Sequence, residues 1–75
     1  KSAKPSYNVI MSMNKDEWKK MADLYTKEFE KEKSWKRKAK WASNTALSYE
    51  YTDDIDTALK WINIAYNQLP TNKRL

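Results

Sequence analysis

The chain has 75 residues, a net charge of +5, and no Cys, His or Gly. That length allows one small domain. The missing residue types remove disulfides, thiolate-held zinc, the commonest general base and glycine-rich phosphate loops. Four Trp, five Tyr and one Phe give an aromatic content foreign to disordered chains. No apolar run approaches the roughly 20 residues that span a bilayer, and nothing after Lys1-Ser2-Ala3-Lys4-Pro5 has the apolar stretch of a signal peptide. A chain that opens on Lys reads as a segment of a longer protein.

Residues 1–13 read as an extended arm or linker. Pro5 and Ser6 suit an extended or turn conformation, and Tyr7, Val9, Met11 and Met13 alternate weakly. Residues 14–75 read as a single helical domain. Its first helix is expected over 14–33, opened by Asn14 as N-cap with Glu17 three residues on, the spacing of a capping box. Trp18, Met21, Ala22, Tyr25 and Phe29 form its apolar stripe. The acid–base run from Glu28 to Lys33 reads as an exposed, ion-paired end, and Ser34 as a boundary or new cap.

The second helix is expected over 35–51. Trp35, Ala39, Ala42, Ala46 and Tyr49 share one face, and its small residues let a neighbouring helix approach closely. Thr52-Asp53-Asp54 breaks the pattern. The third helix is expected over 55–69, with Pro70 stopping it. Ile55, Ala58, Leu59, Ile62, Ala65, Tyr66 and Leu69 fill a wide apolar arc, with Trp61 at its edge. An arc this wide suits packing on two sides. The fold class is therefore all-α, a three-helix array or bundle whose last two helices form an antiparallel hairpin.

Ala58, Ile62, Ala65 and Pro70 stand at intervals of a spaced helical signature, and Tyr49 falls late in the preceding helix. On these residues, positions 39–72 resemble the tetratricopeptide repeat, a helix–turn–helix unit of about 34 residues. There are departures. Ala42 stands where the repeat usually carries Trp, Thr45-Ala46 replaces a Leu-Gly pair, and Asp53 replaces the turn glycine. Carried back one period, the Ala58 and Ala65 positions fall on Leu24 and Lys31, so no second copy precedes in register. The resemblance implies protein–protein interaction or scaffolding within a larger protein, with a groove-facing set of Lys40, Ser43, Asn44, Leu47, Glu50 and Tyr51. Within that set, Lys40 and Asn44 would hold a peptide carboxylate.

Chemistry finds few residues to work with. Without His or Cys, and with no Ser in a nucleophile-elbow context, no enzyme is expected. Asp53, Asp54 and Asp56 cluster at a helix start, where capping explains them without a metal, so no metal or cofactor is expected. The run Lys33 to Trp41 interleaves five cations with two tryptophans. A nucleic-acid surface on Lys36, Arg37, Lys40 and Trp41 is thus the alternative function, with phosphate contacts from the cations and base stacking from Trp. An anionic membrane surface is a second functional reading of the same run. The packing reading places Trp35 in the helix–helix core, Trp41 at its edge and the cations in water. A protein or peptide partner is the leading expectation. Compartment and oligomeric state are left open by composition and pattern.

Overall fold

The computed structural model describes residues 14–75. The extended arm expected over 1–13 lies outside the described residues. Three helices follow one another: α1 (Lys15–Lys31), α2 (Trp35–Tyr51) and α3 (Ile55–Gln68), with a single 3-10 turn at Thr71–Lys73. No strand occurs among the described residues. Each link is three residues long, which turns consecutive helices antiparallel to each other.

The helix ends follow local chemistry. The Asn14 side chain accepts from the Glu17 N–H at 2.9 Å, and the Glu17 carboxylate accepts from the Asn14 N–H at 3.1 Å, closing the expected capping box. α1 ends at Lys31, two residues earlier than expected, because Glu32 turns to extended backbone. Ser34 occupies the N-cap position of α2 but makes no side-chain capping bond. At α3 the Asp54 carboxylate accepts from the Thr57 N–H at 3.2 Å. Leu69 is the C-cap of α3 rather than its last residue.

The turn between α2 and α3 depends on Asp53, whose φ of 64° is the positive-φ backbone of the described chain. A residue with a Cβ pays for that conformation, and glycine does not. Asp53 also pairs with Lys15 across to the start of α1, but both side chains are well exposed and such a pair contributes little. Asp53→Gly is therefore expected to leave stability unchanged or raise it by up to about 1 kcal/mol. Asp53→Val is expected to lower it. Urea melts of the two variants check this, and equal behaviour would refute the backbone argument.

Packing order differs from the sequence expectation in one respect. The wide apolar arc of the third helix suits packing on two sides, which would set that helix between its neighbours. Instead α2 is central: it packs on α1 through one side and on α3 through another, while the backbones of α1 and α3 do not approach. The reason is α2's run of small residues. Ala42, Thr45, Ala46 and Ser48 are all buried. The Thr45 hydroxyl donates to the Trp41 carbonyl at 2.9 Å and the Ser48 hydroxyl to the Asn44 carbonyl at 3.1 Å. Satisfied within their own helix, these hydroxyls pack as small apolar groups.

Aromatic pairs fasten the array. Trp18 of α1 stacks on Tyr51 of α2 with centroids 4.6 Å apart. Tyr25 meets Trp41 at 5.7 Å. Phe29 meets Trp61 of α3 edge-on at 5.3 Å, giving α1 and α3 a direct side-chain contact. The packing expectation is corrected for Trp35 and holds for Trp41. Trp35, expected in the core, is 38% exposed, because it is the first residue of α2 and α1 has already ended. Trp41, expected at the edge, is half-buried against Tyr25.

Candidate interaction groove

α3 turns only part of its apolar arc towards α2. Ala58 is buried, but Ile55, Leu59, Ile62 and Tyr66 are 51%, 53%, 52% and 39% exposed. At about 100° per residue these four positions fall within a narrow stripe. The expected packing on two sides is therefore met by α2 along one side and, towards α1, by the Trp61–Phe29 contact alone within the described residues.

Where the stripe meets α2, the surface dips into an open groove of about 410 Å³. Ala39, Ser43, Ala46, Leu47 and Glu50 form its α2 wall. Ile62, Ala65, Tyr66 and Leu69 form its α3 wall. Alanines on both walls open the space, since larger side chains there would fill it. Leu47 stands 45% exposed at the rim.

The groove-facing set divides in two. Ser43, Leu47 and Glu50 line the groove, whereas Lys40, Asn44 and Tyr51 do not. Tyr51 faces the other way and stacks on Trp18. Lys40 is exposed and Asn44 half-buried, one helical turn apart and outside the walls. The α3 wall was read from sequence as packing residues. The available signal was the width of the arc, greater than one neighbouring helix requires.

The basic run is dispersed. Lys38 donates to the Phe29 carbonyl at 3.0 Å and sits 4.0 Å above the Phe29 ring, so it belongs to the α1–α2 junction rather than to water. Arg37 pairs with Glu32 at 3.6 Å. Lys36 and Lys40 are exposed, but Trp41 beside them is occupied by Tyr25.

Tyr49 is the one described group with a resolved shift in proton affinity. Burial raises its phenol above the ordinary value, and the charges of Asp23 and Asp54 push the same way. The phenol is the neutral species below that range, so this group has no titration to offer near neutral pH. No cluster of three or more metal-ligating side chains occurs among the described residues. No described helix is long and apolar enough to cross a membrane.

A family model described as a domain of unknown function, DUF6340, matches residues 9–74. The chain belongs to the DUF6340 family. The match takes in all three helices, the groove and the stripe of this DUF6340 chain. No curated protein and no solved structure is similar enough to count as a match.

Proposed function

We propose that this DUF6340 chain is a non-enzymatic protein-interaction or scaffolding module built on a tetratricopeptide-like hairpin. The observation that carries the reading is the exposed stripe Ile55, Leu59, Ile62 and Tyr66 beside an open apolar groove. Contiguous apolar surface of this kind is costly to leave in water and marks sites that take a partner. Its shape suits an amphipathic helix presenting residues at i, i+4 and i+7. Two details support the hairpin resemblance. Asp53 takes positive φ where the repeat carries its turn glycine, and Ala46 and Ala65 face each other across the groove.

The nucleic-acid alternative draws less support. Stacking on a base needs a free aromatic face: Trp35 is 38% exposed, but Trp41 packs one face against Tyr25, and the cations beside them are divided between the α1–α2 junction, an ion pair and solvent.

Selection of helical peptides from a display library, followed by fluorescence anisotropy, tests the proposal. The expected binders carry apolar residues at helical spacing, and Ile62→Glu weakens them at least about tenfold. The proposal fails if every binder tolerates Ile62→Glu and Leu47→Asp. Binding of RNA or DNA that vanishes at high salt and on reversing Lys36, Arg37 and Lys40 would favour the alternative instead.

A further inference from the structure

We infer that the stripe on α3 is the contact surface for a second copy of this chain, paired about a two-fold axis with the two α3 helices antiparallel. This rests on the interaction reading above and names its partner. The argument starts from the charges at the two ends of the stripe. At the hairpin-turn end lie Glu50, Asp54 and Asp56, none of which makes an ion pair among the described residues. At the other end lies Arg74. Its guanidinium sits 5.8 Å from the Tyr66 ring centre and donates to the Leu69 and Asn67 carbonyls, each at 3.0 Å. Those carbonyls hold the cation in place without neutralising it. The stripe therefore runs from an acidic end to a basic end.

A surface with that polarity complements its own image when the image is reversed. Ile55 and Tyr66 mark the ends of the stripe, about 16 Å apart at about 1.5 Å per residue. Laying two stripes antiparallel sets Ile55 of each copy against Tyr66 of the other, with Leu59 and Ile62 crossing at the centre. In the same register the acidic end of each copy, with Asp56, lies over the basic end of the other, with Arg74. Apolar and charged matches thus agree in a single alignment. A parallel pairing would bring acid to acid and base to base. Isologous contacts of this type close on themselves and do not propagate. Four half-exposed large side chains, with Leu47 and the flanking charges, place the interface near the lower limit for specific pairs, about 1,200 Å² in total. The dimer is accordingly expected in the micromolar range.

Sedimentation equilibrium of the 75-residue chain from about 1 to 500 µM, at low salt, tests this. The expected result is a monomer–dimer equilibrium that weakens about three- to tenfold when salt is raised to 0.5 M. Ile62→Glu should leave the helical circular dichroism and melting point intact, since the side chain is exposed, and weaken the dimer at least about 30-fold. Arg74→Glu should weaken it about tenfold, and adding Asp56→Lys to that variant should restore it, which only the antiparallel register allows. A chain that stays monomeric at 500 µM overturns the inference. So does a dimer indifferent to Ile62→Glu, or one that the charge exchange fails to rescue. The interaction reading is judged separately: helical peptides that bind the groove of a strictly monomeric chain would uphold it while sinking the second-copy inference.

Discussion

Trp18→Ala is expected to lower the thermal midpoint by roughly 12–40 °C and leave the chain largely unfolded at 37 °C. Trp18 is the largest side chain in the core, only 9% exposed, and it lies flat on Tyr51 at an interplanar angle of 19°. That stack joins the first turns of α1 to the last turn of α2. Truncating a buried tryptophan to alanine costs about 3–5 kcal/mol. A domain of this size holds only about 4–11 kcal/mol in total, and each kcal/mol moves the midpoint by about 4–8 °C. Trp35→Ala serves as the control. Trp35 is much more exposed and takes part in none of the aromatic pairs among the described residues, so its loss should move the midpoint by only a few degrees. Thermal melts at 222 nm compare the two. Equal shifts would show that the Trp18–Tyr51 stack is not what holds α1 to α2.

The contrast between these tryptophans marks where sequence stops being informative. Helix existence was legible because it depends on near neighbours: Asn14 and Glu17 cap each other across three residues, and Pro70 stops α3. α2 and the start of α3 fell where the apolar periodicity and the Thr52-Asp53-Asp54 break placed them. Which face meets which partner depends on residues far apart in the chain. Trp35 and Trp41 carry the same side chain in the same basic run, and nothing local tells that α1 ends before reaching Trp35 while Tyr25 lies across from Trp41. Thr45 and Ser48 hid the second packing face of α2. They count as polar in a periodicity argument, yet each hydroxyl is satisfied by the carbonyl four residues back. Read that way, α2 has small residues on two sides, and its central place follows. The groove was half legible. Ser43, Leu47 and Glu50 came from the helical register of α2, whereas Tyr51 was lost to the Trp18 stack and the α3 wall was mistaken for interior.

The central position of α2 makes Ala42 the most sensitive small residue in the molecule. Ala42 is fully buried, on the helix that has α1 on one side and α3 on another. Neither neighbour can retreat without giving up an aromatic contact, because Phe29 of α1 and Trp61 of α3 already touch. Ala42→Leu adds three carbons to this closed space, and overpacking of that kind costs about 1–3 kcal/mol or more. Ala39→Leu is the informative comparison. It makes the same chemical change three residues earlier, on the half-buried wall of the open groove. There the added carbons have room, so stability should hold within about 0.5 kcal/mol or rise. Denaturant titrations of both variants separate the two environments, and a larger loss for Ala39→Leu would refute the packing order described for α2. The same reasoning gives the Ala42 departure from the tetratricopeptide pattern a physical cause. A tryptophan at this position would need α1 or α3 to stand off from α2. This chain has instead placed three of its four tryptophans at 18, 41 and 61, where each packs against an aromatic ring of another helix.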